Sequence, residues 1–286
     1  MSGEAPNEAG RLLAAYDAQL RTDAETPSAI AVTRLGPLRL VTFAGGRGFV
    51  TYRDLGKAAA ASQAADAAAP APADGAAATA DVAGLVAAAL AHYRADPAIT
   101  RVEWKTRGHD RAPGLHDALV AAGFVPDETE SIMIGEAAAL AVDVALPDGV
   151  RLRRVTAEHD VRAMSAMQDE VFGDEPSDEM ANALLRRLAL DDGMELWVAE
   201  SGREIVSAGR LEPVAGTDFA GIWGGATRLE WRGQGIYRAL TAARARSALE
   251  RGKTLIHSDS TEFSRPILER SGLLKVSTTT PYRWRR

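Results

Sequence analysis

Cysteine is absent from the 286-residue sequence. Its absence excludes disulfide scaffolds, thiolate zinc sites and cysteine nucleophiles, and it fits a reducing compartment. We therefore expect no thiol chemistry carried out by the protein itself. We also predict no metal cofactor.

A long hydrophobic run is also missing. The most apolar stretch, residues 82–91, is much shorter than the ~20 residues that cross a bilayer. The first eleven residues carry Glu4 and Glu8 and show no basic, apolar leader pattern. Hydrophobic residues make up 46% and charged residues 25% of the chain, which is typical of a globular protein. We expect a cytoplasmic protein with no membrane partner.

Lysine is scarce, with Lys57, Lys105, Lys253 and Lys275 the only four, and the net charge is -6. Nucleic-acid binding through phosphates needs a clustered basic surface. The acidic balance therefore argues against a nucleic-acid partner and favours a small-molecule ligand.

The first half of the sequence predicts a series of short helices and strands. Residues 58–80 are almost all alanine with Pro70 and Pro72 among them, which indicates an insertion that buries little and carries no chemistry. Periodicity and turn residues predict a helix over 11–20, a hairpin of 38–43 and 49–52, a helix over 81–94, a strand over 100–106 and a helix over 113–122.

The second half begins after Pro147-Asp148-Gly149. Its pattern predicts a strand over 150–155, helices over 157–172 and 177–190, a hairpin of 196–200 and 205–211, an antiparallel strand over 219–227, a helix over 235–251 that stops at Gly252, and a strand over 255–259.

A weak internal repeat sets the predicted number of domains. Residues 100–134 run as strand, proline-containing loop, helix, Ala-Gly-Phe and strand, and residues 255–284 repeat that order with Pro266 and Gly272. We infer two copies of one α/β fold, a first domain over 1–147 and a second over 148–286. Only the second copy has a glycine-rich turn from strand to helix.

That turn is the motif that carries chemistry. Gly224-Gly225-Ala226-Thr227 closes a strand, and Arg232-Gly233-Gln234-Gly235-Ile236-Tyr237 opens a helix. Backbone N–H groups at a helix N-terminus bind phosphate oxygens, and the helix dipole adds positive potential. Glycines at 233 and 235 allow the phosphates to approach closely, and Arg232 adds charge. The sequence predicts a pyrophosphate cradle.

These residues resemble the signature of the GNAT superfamily of N-acetyltransferases, which is Arg or Gln, two residues, Gly, one residue, then Gly or Ala. Arg232 and Gly235 match it and Tyr237 departs from it. The resemblance covers residues 150–284 well and the first half only in its later strand-helix-strand portion. It implies a tandem GNAT with a degenerate first half, an α/β (α+β) protein with two mixed, mostly antiparallel sheets flanked by helices.

The resemblance also implies a donor and its binding residues. The donor is acetyl-CoA, whose pantetheine arm would pair with Gly225, Ala226 and Thr227 as an added strand, with the acyl carbonyl near Gly225. The pyrophosphate would be held by Arg232, Gly233, Gln234, Gly235, Ile236 and Tyr237.

Two functional residues of the family are missing from this sequence. The tyrosine that usually protonates the departing thiolate is replaced by Leu268, and the common asparagine at the start of that helix is replaced by Thr261. The sequence therefore excludes general-acid catalysis by the usual residue.

Several polar residues in or after the strand at 255–259 are candidates for the catalytic base. His257 and Asp259 share one strand face beside the expected cofactor cleft, so we assign one of them as the catalytic base, ahead of Glu262 and Tyr282. The alternatives stay open: His257 as a core histidine, and Asp259 as a cap for the segment 260–270.

Acidic residues cluster where the two helices before the hairpin meet, at Asp169, Glu170, Asp174, Glu175, Asp178 and Glu179. In GNAT proteins this connection often walls the acceptor site, so an acidic wall favours a cationic amine acceptor. The alternative is a set of solvated charges. The arginines of the helix at 235–251 are expected on its solvent face: Arg238, Arg244, Arg246 and Arg251.

Two functions follow from this pattern. The first is an acetyl-CoA-dependent N-acetyltransferase that transfers an acyl group to the primary amine of a small molecule. The alternative is a non-catalytic acyl-CoA-binding module, a sensor or assembly partner, in which Leu268 marks the loss of catalysis. A homodimer is possible in either case.

Overall fold

The structure is a computed structural model that describes residues 7–55 and 81–286. The predicted insertion over 58–80 lies outside the described residues. The strands, in chain order, are β1 Ala31–Leu35, β2 Leu38–Phe43, β3 Arg47–Tyr52, β4 Arg101–Arg107, β5 Val125–Pro126, β6 Glu130–Glu136, β7 Val150–Val155, β8 Glu195–Ser201, β9 Glu204–Pro213, β10 Phe219–Thr227, β11 Leu255–Ser260 and β12 Leu274–Arg285.

The helices of the described residues are α1 Glu8–Gln19, α2 Val82–Arg94, α3 Leu115–Ala121, α4 Ala137–Leu140, α5 Glu158–Phe172, α6 Glu179–Leu188, α7 Ile236–Glu250 and α8 Arg265–Arg270. Most lie within two residues of the helices that periodicity predicts. Strand β1 and helix α4 were not predicted, because neither has a periodic run long enough to show in the sequence.

The chain divides into two compact units. Unit 1 consists of Met1–Glu25 and Ser131–Val276, and unit 2 of Thr26–Glu130 and Ser277–Arg286. These units differ from the two halves of the sequence. The predicted boundary at 147/148 places α1 and β6 in the first domain, whereas unit 1 combines them with most of the second half of the chain. Each unit takes a segment from the other half of the chain. That each half forms a GNAT-like domain of its own stays a prediction.

Unit 1 contains a mixed sheet in the order β6-β11-β10-β9-β8-β7. Its neighbours pair antiparallel except β10 and β11, which are parallel. Helix α7 packs on β8, β9 and β10, and α5 packs on β9 and β10. The predicted antiparallel pairing of 219–227 with the hairpin before it is confirmed.

Unit 2 contains β1-β2-β3-β4 and the C-terminal part of β12. The pair β3 and β4 is parallel and the other pairs are antiparallel. Buried side chains from the sheet and from α2 and α3, among them Trp104 and Tyr93, form its core. The predicted fold class, mixed and mostly antiparallel sheets flanked by helices, is confirmed.

Helix α7 positions the glycine-rich turn. It starts directly after Gly235 and ends before Gly252, whose φ of +72° gives the predicted glycine stop. Of the predicted apolar stripe of Ile236, Leu240, Ala243 and Leu249, the first three are buried, whereas Leu249, near the end of α7, is exposed. Because the first helical side chain is anchored in the core, the turn before it is held in a fixed position.

Candidate functional site

The turn before α7 presents a row of backbone donors. The N–H groups of the six residues Gly233–Arg238 find no hydrogen-bond acceptor within the described residues, whereas the next one, of Ala239, donates to the carbonyl of Gly235 at 2.9 Å. Such a row at a positive helix end binds anions. The row lies where the sequence predicts a pyrophosphate cradle, and its binding role stays a prediction.

Two glycines shape this row. Gly233 and Gly235 have φ of +76° and +80°, in the left-handed region that favours glycine. A Cβ at Gly233 would have no neighbour within 4 Å, and one at Gly235 would lie 3.6 Å from Cγ1 of Val144. The positive φ explains why both positions are glycine. At Gly233, the open space where a Cβ would lie also leaves room for a ligand.

The polar side chains of the turn fold back on the backbone. Nε of Arg232 donates to the carbonyl of Thr227 at 3.0 Å, and Nε2 of Gln234 donates to the carbonyl of Glu230 at 3.0 Å. Both side chains remain exposed at their ends. Arg232 therefore ties the turn to the end of β10, in addition to the charge that the sequence predicts for it.

The parallel strands β10 and β11 diverge beside this turn. Their pairing covers only Phe219–Gly221 with Leu255–His257, although β10 continues to Thr227 and β11 to Ser260. At the point of divergence, the side chain of Ser258 donates to the carbonyl of Ile222 at 2.9 Å. The cleft between the two strands has the edge to which an extended ligand could pair.

A β-bulge in β10 follows the point where β10 and β11 diverge. The register between β9 and β10 shifts between Trp223 and Ala226, so Gly224 and Gly225 have no partner residue on β9. Nε2 of Gln168, on α5, donates to the carbonyl of Gly224 at 2.5 Å. Gly225 was predicted as a contact of the acyl group, whereas Gln168 was missed because an interior helix glutamine carries no local signal.

Tyr237, the residue that departs from the signature, packs on the bulge. A Cβ added at Gly225 would lie 2.5 Å from Cε2 and 3.0 Å from Oη of Tyr237. The ring also packs against the apolar cluster that contains Leu268, which is 1% exposed. The phenol therefore lies between α7 and the bulge of β10.

Arg244 does not lie on the solvent face of α7, which corrects the sequence expectation. It is 1% exposed and donates to the carbonyls of Leu240 and Arg210 at 3.3 and 3.2 Å and to Oγ1 of Thr241 at 3.1 Å. Burial lowers the pKa of its guanidinium, and the nearby side chain of Tyr237 opposes this lowering. Arg238, Arg246 and Arg251 are exposed, as predicted.

His257 lies among aromatic rings. It is 8% exposed, and its ring meets those of Trp223, Phe219 and Tyr16 edge-on, with centroid distances of 5.2, 5.8 and 6.4 Å. This environment fits a packed core histidine as well as a base at the floor of the cleft. Its catalytic role stays a prediction.

Asp259 lies two residues further along β11, on the same strand face and half-buried. Helix α8 begins at Arg265 with Ser264 as its N-cap residue, and Oγ1 of Thr261 accepts a hydrogen bond from the Ser264 N–H at 3.4 Å. The cap position of α8 is therefore five residues beyond Asp259. The assignment of Asp259 as base stays a prediction.

The acidic connection between α5 and α6 is partly neutralised. Glu170 pairs with Arg228 at 2.5 Å, and Asp178 pairs with Arg162 at 3.0 Å. Asp174 and Glu175 are exposed, and no salt bridge is found for either among the described residues. Their charges are therefore the ones available to a cationic ligand.

Within the described residues, no cluster of His, Cys, Asp or Glu could hold a metal ion. No described helix is long and apolar enough to span a bilayer.

The chain is similar to several solved structures. One is a GCN5-related N-acetyltransferase from Kribbella flavida, with a TM-score of 0.62 and 17% sequence identity over 98% of this chain and 96% of that one. Another is a tandem GNAT protein from the clavulanic acid biosynthesis pathway, with a TM-score of 0.55 and 13% identity over 87% of this chain and 78% of that one.

A third is a GCN5-related N-acetyltransferase from Sphaerobacter thermophilus, with a TM-score of 0.54 and 16% identity over 87% of this chain and 76% of that one. No family model and no curated protein sequence matches the chain. At these identities the similarity concerns the fold. The chain therefore has the fold of the GCN5-related N-acetyltransferases, which is the fold that the sequence resemblance implies.

Proposed function

We propose that this protein is an acyl-CoA-dependent N-acyltransferase that uses acetyl-CoA and acetylates the primary amine of a small molecule. The observation that carries the proposal is the row of six N–H groups without acceptors at Gly233–Arg238, beside the cleft where β10 and β11 diverge. The row fits a pyrophosphate and the cleft edge fits an extended amide-containing arm. Both belong to the GNAT fold.

The residues that would hold the donor divide into two groups. Gly233 to Tyr237 would donate N–H groups to the pyrophosphate, with the exposed Arg232 and Arg238 adding charge. Gly225, Ala226 and Thr227 on β10 would pair with the pantetheine arm. Acetyl-CoA supplies an activated acyl group with a thiolate as leaving group. The residues of the chain then align the acyl carbonyl with the amine and accept its proton.

The acceptor class follows from charge and position. Asp174 and Glu175 are exposed acids in the connection between α5 and α6, and α5 also supports the bulge through Gln168. A positively charged amine is attracted to these carboxylates and must lose a proton before it attacks. Asp259, half-buried in β11, is the proposed base, and His257 is the second candidate.

Titration calorimetry with acetyl-CoA, followed by a thiol-release assay over a panel of primary amines, tests the proposal. Because the chain has no cysteine, a thiol reagent detects only released CoA. We expect binding at micromolar concentrations and amine-dependent release. Absence of binding at millimolar acetyl-CoA would refute the proposal.

The cradle is tested by Gly235→Glu, which places bulk and negative charge at the phosphate position. Gly202→Glu is the matched control, since Gly202 also has a positive φ, of +62°, and open space around it, but lies in the hairpin turn between β8 and β9. Both variants carry similar backbone strain. Only Gly235→Glu is expected to abolish the melting-temperature increase that acetyl-CoA causes.

The non-catalytic alternative is favoured by one observation, the apolar Leu268 in place of the usual acid. In that case, acetyl-CoA binds and raises the melting temperature, but no amine on the panel releases CoA. Binding together with amine-dependent release identifies the enzyme.

A further inference from the structure

We infer that Tyr237 donates the proton to the departing thiolate and that the buried Arg244 positions Tyr237 and stabilises its phenolate. The inference rests on the proposed function and extends it, because Leu268 leaves the reaction without its usual acid.

The first argument is the position of the phenol. The Tyr237 ring lies directly on Gly225, in the part of β10 beyond its divergence from β11, and a Cβ there would come within 3.0 Å of its Oη. Position 225 must therefore lack a side chain for Tyr237 to lie there. In the proposed function the thioester lies at this bulge, so the phenol oxygen is next to the sulfur. The same ring packs in the cluster that contains Leu268.

The second argument is the charge of Arg244. A buried guanidinium is costly unless a charged or strongly polar group compensates it. Within the described residues Arg244 has no carboxylate partner, and its acceptors are two carbonyls and one hydroxyl. Its guanidinium lies on Gly209 of β9, opposite the bulge of β10 on which the Tyr237 ring lies. A phenolate on Tyr237 would be the compensating anion. The buried charge of Arg244 is costly while Tyr237 is neutral, so it favours the phenolate that forms when Tyr237 gives up its proton.

The third argument is the unused donor of the phenol. No acceptor for the O–H of Tyr237 is found among the described residues, so its proton is available to a ligand. Arg210 on β9 is a further charged side chain near the pair, and its Nε donates to Oε1 of Glu212 at 2.6 Å. Strand β10 contributes no titratable side chain.

The step balances as follows. The amine nitrogen forms a bond to the acyl carbon, the bond between that carbon and sulfur breaks, and sulfur takes the proton from Oη of Tyr237. The phenolate remains beside Arg244 until a proton from the amine reaches it through the base or water.

Binding without turnover gives the first test. The chain has five tyrosines, and with tyrosine labelled with ¹³C at Cζ the Tyr237 signal is assigned by its loss in Tyr237→Phe. We expect CoA to shift this signal more than those of the other tyrosines, and desulfo-CoA, which lacks the sulfur, to leave it nearly unchanged. Equal shifts with both ligands, or no shift with bound CoA, would overturn the inference.

Turnover gives the second test. Tyr237→Phe keeps the ring on Gly225 and should lower kcat with acetyl-CoA by about a hundredfold, within the range for loss of a general acid. Its calorimetric affinity for acetyl-CoA should stay within about threefold. Tyr52→Phe, a buried tyrosine of unit 2, is the control and should retain wild-type kcat. A Tyr237→Phe kcat close to wild type would exclude the acid role.

Arg244 is tested by charge rescue. Arg244→Lys keeps the positive charge and should retain the CoA-dependent shift of the Tyr237 signal, whereas Arg244→Gln should lose it. If neither variant folds, the Tyr237 results decide the inference. A chain that binds no CoA refutes the proposed function; a chain that binds CoA and turns over, without a response at Tyr237, refutes only this inference.

Discussion

The side-chain amide of Gln168 donates a hydrogen bond of 2.5 Å to the carbonyl oxygen of Gly224. Gln168 lies on α5 and is buried, and Gly224 is the first residue of the bulge in β10. The bond satisfies a carbonyl that has no partner on β9, and it connects the helix before the acidic loop to the strand that would bind the donor. The shape of the cleft therefore depends on a residue outside the strands and the turn.

Replacement of Gln168 should weaken both the fold and donor binding. Gln168→Leu leaves the Gly224 carbonyl without its donor, so we expect the free energy of unfolding to fall by about 1–3 kcal/mol. The altered bulge should weaken acetyl-CoA binding about tenfold, equivalent to ~1.4 kcal/mol. Chemical denaturation and calorimetry measure the two effects.

Gln19→Leu is the matched control for that experiment. It removes two hydrogen bonds of the Gln19 amide with Asp218, of 2.8 Å from Nε2 to the carboxylate and of 2.7 Å from the Asp218 N–H to Oε1, at an exposed position away from the bulge. It should lower stability and leave the affinity for acetyl-CoA unchanged. Equal affinity losses in both variants would contradict a specific role for Gln168.

Binding stoichiometry should be one acetyl-CoA per chain. Among the described residues, only the α7 turn combines positive-φ glycines with a row of N–H groups beside diverging strands. Calorimetry should therefore give a single site, which Gly235→Glu removes. A second site that persists in this variant would show that the first half of the chain also binds CoA.

Asp259→Asn tests the proposed base. Asn keeps the size and most hydrogen bonding of the aspartate but cannot accept the proton of the amine, so turnover should fall by about a hundredfold or more. The melting temperature should stay close to wild type. Turnover within threefold of wild type would remove Asp259 from the mechanism, and His257→Gln would be assayed next.

Glu195 should make stability depend on acid pH. Burial raises the pKa of this carboxyl, but hydrogen bonds from Arg251, Ser247 and Trp197 outweigh burial and lower the pKa below its ordinary value. A group whose pKa is lower in the folded state stabilises the fold above its unfolded pKa of about 4.3, and this stabilisation is lost as pH falls through the folded pKa.

Glu195→Gln should therefore lower the free energy of unfolding at neutral pH by about 1–3 kcal/mol and have a smaller effect at low pH. Glu250→Gln, at an exposed position of α7, is the control and should change stability little at either pH. Urea denaturation in steps from pH 7 down to pH 2 measures the difference. A destabilisation that stays equal across this range would contradict the linkage.

The glycine-rich turn and most helices and strands were predictable because their causes are local. Gly233 and Gly235 adopt the positive φ that glycine permits, Gly252 ends α7, and the apolar stripe of α7 faces the sheet. The candidate donor site is built mainly from one continuous segment, from Gly224 to Tyr237, so its position could be predicted from the sequence.

Tertiary structure decided what depends on distant segments. The sequence cannot show that Arg244 is buried, because an arginine on a helix is solvated unless other elements cover it, and here Gly209 and Arg210 of β9 do so. Nor could the sequence show that β6 pairs with β11, which assigns β6 to unit 1. Strand pairing is set by which edges meet in the fold, and local residue patterns do not specify those partners.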